Sequence, residues 1–389
     1  MALLLFALAS LLATAGGSPA PPGNSGPYRA VHRQDVQGDS ALLQPTQQQA
    51  AENMAYEAAS HDYLASLETS LRKSPYPRDR ALATLMMEQV PEYHALTADE
   101  TALRGALLRG AAEVAPEDVL VQWLWTNATV ADSGCDASNP CPQRIEAAAR
   151  VQPDNGAAWD PVVFTAFAAG NIPAAESALQ KMAQATHFDD QHGVTLKAWM
   201  EIFQRYPMPD AMAIDLKRSA FATTPMANFD AQTRNFTIAE TYAVPAAAQP
   251  YGWPVGQCDR SKHPQASQQR MRDCAQVGRV MLTRSTSLLY GRIGRALLRV
   301  SGQATATDDA NARVEAWQLE QASTAPAPTR EDKTVELMNA IAADWLETGD
   351  EVQVNQRRVQ RAGIPLTPPA DWVAHGPDSK PMPPGAHGP

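Results

Sequence analysis

The chain has 389 residues, 44% hydrophobic and 19% charged, with 32 Lys and Arg against 42 Asp and Glu and a net charge of −10. An acidic balance of this kind argues against a nucleic-acid-binding surface, which needs a clustered basic field. Aromatics are only 6%, poor material for a β-sandwich, whereas the abundant Ala favours helices.

Residues 2–15, ALLLFALASLLATA, are an unbroken apolar run, and Ala13-Thr14-Ala15 before Gly16 fits the small-x-small cleavage site of a secretory signal. The run is shorter than the about 20 apolar residues that cross a bilayer. No Lys or Arg precedes it, so the usual basic start of a signal is missing. The expectation is a signal peptide over 1–15, a periplasmic or secreted mature protein and no membrane span. Residues 16–48, rich in Pro, Gly, Ser and Gln, read as a disordered linker.

From 49 to 222 the pattern is helical, with no convincing strand alternation. Thr97-Ala98-Asp99-Glu100 is a capping box, and Leu103, Leu107 and Leu108 follow at helical spacing. Pro116-Glu117-Asp118 predicts another helix start, with Leu120, Trp123 and Leu124 on its face. Residues 142–183 read as helix, Pro-Asp-Asn break, helix, Gly-Asn turn, helix. Pro153 ends the first helix, and Asp154 or Asn155 caps the next. Gly170-Asn171 suits the tight turn of a helix hairpin.

This stretch resembles a tetratricopeptide repeat, a family whose units of about 34 residues are antiparallel helix pairs. Pro153 and Trp159 match the spacing between a closing Pro and the large residue that opens the next unit. Gly170 stands at the turn, Ala175 at the small position where helices cross, and Leu179 one turn on. Val163, Ala166, Met182 and His187 depart from the family's Gly, Tyr, Ala and closing Pro. The resemblance covers one unit well and at most a third of the chain, with weaker traces at 97–126 and 188–222. It implies stacked hairpins sharing a continuous core and a concave surface that binds peptides or proteins.

The four cysteines form two local groups, Cys135 with Cys141 and Cys258 with Cys274. In an exported chain the default is two disulfides, and local pairing is the simplest of the three arrangements. No C-x-x-C occurs, which leaves a zinc site or a thiol oxidoreductase without its spacing. His187, Asp189 and His192 lie in the densest group of side chains able to ligate a divalent ion. They lack the H-E-x-x-H pattern, and capping of the next helix by Asp189 or Asp190 is the simpler reading. No metal ligand is assigned on this ground.

Residues 223–263 carry Pro225, Pro245, Pro250 and Pro254 and read as a Pro/Gly-rich insertion. The C-terminal helical region is expected over 264–363. Leu289, Ile293 and Leu297 predict one stripe there, with Arg292, Arg295 and Arg299 on other faces. Val335, Met338, Ile341 and Trp345 predict another, closed by Gly349. Arg357, Arg358 and Arg361 read as a solvated basic face. Residues 364–389 hold eight of the 31 prolines and read as an extended tail anchored by Trp372.

No G-x-S-x-G, P-loop or G-x-G-x-x-G pattern appears, so no catalytic or cofactor-binding residue is assigned. The expected fold is all-α: stacked helical hairpins, as a repeat solenoid or an irregular superhelix. The expected function is a non-catalytic periplasmic or secreted protein that binds a protein or peptide. Two alternatives stand beside it. One is a metal-dependent hydrolase of the cell envelope built on His187, Asp189 and His192; the other is a self-associating structural envelope protein.

Overall fold

The computed structural model describes residues 47–88, 96–131, 141–209, 229–247, 252–324 and 331–374. The expected signal peptide and nearly all of the expected linker lie outside these residues. The described residues hold 15 helices and no β-strand. The first seven are α1 Gln47–Arg72, α2 Pro77–Glu88, α3 Ala98–Val114, α4 Val119–Ala131, α5 Cys141–Ala149, α6 Gly156–Ala168 and α7 Ile172–Ala183. Then come α8 His192–Arg205, α9 Ala231–Ala247, α10 Gly252–Gln257, α11 Gln268–Arg284, α12 Leu288–Ser301, α13 Ala306–Thr324, α14 Glu331–Thr348 and α15 Glu351–Arg361.

The helix boundaries follow from local chemistry. At α3, Thr97 Oγ1 accepts from the Glu100 N–H at 3.2 Å, while Glu100 Oε2 accepts from the Thr97 N–H at 2.8 Å. Two orphan donors are satisfied reciprocally. Asp118 Oδ1 accepts from the N–H groups of Leu120 and Val121 and so opens α4. Between α6 and α7, Gly170 takes φ +69°, and Asn171 Oδ1 accepts from the Ala174 N–H at 3.2 Å. Such a left-handed turn favours Gly because it has no Cβ.

Most of the core is one continuous apolar cluster running from Leu67 to Val354. Trp123, Leu124, Trp159, Leu179 and Trp199 belong to it, and Ala175 is buried as well. The Trp159 Nε1–H reaches back to the Pro153 carbonyl at 3.1 Å and so ties the start of α6 to the break before it. One face is rotated from expectation. Leu103 is 39% exposed, and α3 buries Arg104, Leu108 and Ala111 instead. In α12 the buried face is Tyr290, Ile293, Gly294, Leu297 and Leu298, with Leu289 at its margin. Arg295, placed by spacing off this face, is buried and lies 3.1 Å from Glu315 of α13.

Helices α11 and α12 cross at two glycines. A Cβ on Gly294 would stand 2.5 Å from the Gly278 carbonyl oxygen, so the backbones touch. The segment Gly291-Arg292-Ile293-Gly294 is therefore a helix crossing inside α12. Cys258, just after α10, is disulfide-bonded to Cys274 in α11, with the Cα atoms 5.8 Å apart. That matches the expected local pairing. Cys135, and with it the expected Cys135–Cys141 bridge, lies outside the described residues. Within 223–263, α9 buries Phe236, Ala239, Tyr242 and Ala243 in the core. Its first fourteen residues, 231–244, are free of proline, which leaves room for the helix.

Many neighbours in sequence pack together: α2 on α3, α3 on α4, α6 on α7, α8 on α9, α11 on α12. Distant pairs meet as well: α9 lies against α2 and α14, α7 against α11, and α13 against α15. Residues 364–374, the described part of the expected tail, are non-helical and strapped along α13. There Trp317 Nε1–H donates to the Pro365 carbonyl at 2.7 Å, and the Trp317 and Trp372 rings meet edge to face at 5.3 Å.

Candidate functional site

A polar junction gathers Asn155, Asp189, Asp190 and His192. It forms where the segment 186–191 passes between two other loops. Gly156 N–H donates to the His187 carbonyl at 2.9 Å, and Phe188 N–H to the Arg284 carbonyl at 3.1 Å. Thr286 N–H donates to the Phe188 carbonyl at 2.9 Å, and Glu351 N–H to the Thr286 carbonyl at 2.8 Å. Four stretches of backbone are thereby laced across the molecule. Gly156 is required at the crossing, because a Cβ there would stand 2.2 Å from the Phe188 ring.

Asn155 locks the crossing. It is fully buried, and its Oδ1 accepts from the N–H of Ala157 at 3.1 Å and of Asp189 at 2.9 Å. Its Nδ2 donates to the Asp189 carbonyl at 2.8 Å and to Gln152 Oε1 at 3.0 Å. One side chain thus caps α6, as the sequence predicts, and also pairs with a backbone 34 residues away.

Asp189 Oδ1 accepts from the Gln191 N–H at 2.8 Å, and Asp190 Oδ1 from the His192 N–H at 3.2 Å. Both carboxylates therefore satisfy donors at the start of α8, where negative charge is favoured. The formal cap residue is Gln191, in the left-handed region at φ 60°. His192 opens α8. Its Nε2 lies 2.9 Å from Glu240 Oε2 of α9, with the two side chains only 16% and 17% exposed. The imidazole stacks on Trp345 of α14 at 4.9 Å. One residue on, a Cβ on Gly193 would stand 2.1 Å from the Gly349 carbonyl oxygen, so α8 and the end of α14 touch backbone to backbone. Glu351, at the start of α15, accepts from the Leu288 N–H at 2.9 Å.

Burial draws the His192 pKa down, but the charge and hydrogen bond of Glu240, with Asp190 and Glu351 behind them, outweigh it and raise it to about 9. Burial pushes Asp190 up to about 6 and raises Asp189 and Glu351 as well. The junction is suited to holding protons between helices. Elsewhere, a recess lined by Val119, Trp123, Ala149, Ala158 and Pro161 has about 20 Å3 of free space, room for a single water.

The three metal-ligand candidates do not converge. His187 Nδ1 lies 3.2 Å from Thr186 Oγ1, Asp189 is held by backbone, and His192 faces Glu240. Among the described residues no three His, Cys, Asp or Glu side chains are arranged to hold a metal ion. The Arg357 and Arg361 face is neutralised. Arg357 lies 3.0 Å from Asp344 and 2.8 Å from Glu347, and Arg361 pairs with the same buried Asp344. Asn127, in one of two N-x-T sequons, donates to the Ala246 carbonyl at 3.2 Å.

Sequence reasoning finds His192, Asp189 and Asp190 but misses Glu240, Trp345 and Glu351 as their partners. Glu240 carried a signal: it is the sole acidic residue of the mostly apolar α9. Glu351 looks like any acid in a first helical turn. No family model matches the chain, and no match is found among curated proteins or solved structures. No helix among the described residues is long and apolar enough to cross a membrane.

Proposed function

We propose that this is a non-catalytic exported helical protein that acts by binding a protein or peptide in the periplasm or outside the cell. One observation carries the reading. The groups singled out for chemistry serve instead to hold helices together: Asp189 and Asp190 on the start of α8, His192 on Glu240. The Cys258–Cys274 bridge and the apolar leader support the exported location. The Trp159, Gly170, Ala175 and Leu179 unit supports hairpin packing of the tetratricopeptide kind at α6–α7. The contacts of α9 with α2 and α14 favour an irregular superhelix over a regular solenoid, in which each unit touches only its neighbours.

Crosslinking in the native compartment, followed by mass spectrometry, tests the reading. The expected outcome is a reproducible protein partner and a mature chain beginning at Gly16. Retention of Met1 in the folded protein, or no reproducible partner, overturns it.

A further inference from the structure

We infer that the junction around His192 is a proton-dependent clasp, which grips α14 and α15 to α8 and α9 in acid and releases them in alkali. The geometry carries this. His192 sits where three helices meet: the Glu240 carboxylate of α9 is 2.9 Å away, Trp345 of α14 stacks on the ring, and Gly193 of α8 touches Gly349 just after α14. The charge that holds α8 to α9 therefore lies directly beneath the C-terminal helices.

The charged groups facing His192 are Glu240 from α9, Asp190 from its own loop and Glu351 from α15. On α14 the nearest ring, Trp345, is uncharged, while Lys197, one turn on in α8, reaches to within 3.4 Å of where a Cβ on Gly349 would stand. Asp189 lies just behind, bonded to Thr286 at 3.3 Å and repelled by Asp350. A cluster of one imidazole and several buried carboxylates cannot lose its proton without leaving uncompensated negative charge between helices.

The direction follows from proton linkage. His192 binds its proton more tightly in the folded chain, at about 9 against an ordinary 6.5. Its contribution is whole below pH 6.5 and is lost as the pH rises through about 9. Asp190, also raised, works in the same direction, so the folded state gains as pH falls through about 6. Asp344 of α14 works the other way. Burial raises it, but Arg361 and Arg357 hold it low, so its pairing is lost in stronger acid. The clasp should grip best in mildly acidic solution.

Hydrogen exchange of the full chain, corrected for the intrinsic pH dependence of amide exchange, reads the clasp locally. Between pH 6.5 and 9, protection of α14 and α15 should fall by up to about tenfold per pH unit. Protection of α6 and α7 should hold within about twofold, since a single-site linkage acts where the proton sits. His192→Gln should flatten the decline in α14 and α15. Glu240→Gln keeps the shape, removes the charge and should move the decline toward lower pH, which serves if the first variant does not fold. An equal decline in every helix, no decline in α14 and α15, or an unmoved profile in Glu240→Gln overturns the proposal.

Discussion

The α11–α12 hairpin and the His192 junction both join parts of the core, by opposite means. At the hairpin, two glycines let backbones touch, Leu297 and Leu298 fill the crossing, and a disulfide ties in Cys258. The attraction there is dispersion and apolar burial, which depends little on pH. At the junction the contacts are backbone lacing, an Asn held four ways and an ion pair among buried carboxylates. Such a network is strong only while every member is satisfied. One region should therefore be sensitive to volume and the other to protons.

The largest break in this contrast is expected from Gly294→Val. The new side chain meets the Gly278 carbonyl and the Leu282 backbone, neither of which can swing aside. We expect a loss of about 3 kcal/mol, the upper end of overpacking costs. Urea unfolding should give the same loss at pH 6 and pH 9, and a strongly pH-dependent loss would blur the contrast. Replacing Cys258 and Cys274 together by Ser should cost about 3 kcal/mol, because the bridge closes a segment with a separation of 16 residues. Reductant should cost the parent chain more than the double variant, in which only the expected Cys135–Cys141 bridge is left to reduce.

Asn155→Ala attacks the junction without touching its charges. The variant leaves the N–H and carbonyl of Asp189 without their partner, at a cost of about 2 kcal/mol. That cost should be the same at pH 6 and pH 9, because the Asn155 side chain bonds to Gln152, Ala157 and Asp189 while the clasp releases α14 and α15; a cost that shrinks toward pH 9 would extend the clasp to Asn155. The smallest effect is expected from Thr97→Ala, outside both regions, at about 1 kcal/mol for a lost helix cap. Its loss should be independent of pH from 6 to 9 and of reductant, and so calibrates the other three.

Local signals were legible wherever a single segment decides its own structure. The capping box at Thr97, the Asp118 start of α4, the Gly170 turn and the Gly349 stop all formed as their residue types predict. Trp159 and Leu179 are buried, at the large apolar positions that the resemblance to a tetratricopeptide unit implies. The face assignment failed by part of a turn at Leu103, since a helix carrying several apolar residues offers more than one face to its neighbours. Arg295 was misplaced for a related reason: a long side chain is buried where a carboxylate waits, and Glu315 sits on another helix.

By itself, the sequence determined the helical class and several helix ends, and it made Cys258–Cys274 the simplest of the possible pairings, because caps, turns and short loops act over a few residues. Only the tertiary structure decided which helices meet, that 186–191 threads between two distant loops, and that His192 faces Glu240. Those choices depend on shape and charge matching between distant segments, 34 residues apart for Asn155 and Asp189 and 48 for His192 and Glu240, and no periodicity within a segment encodes its partner.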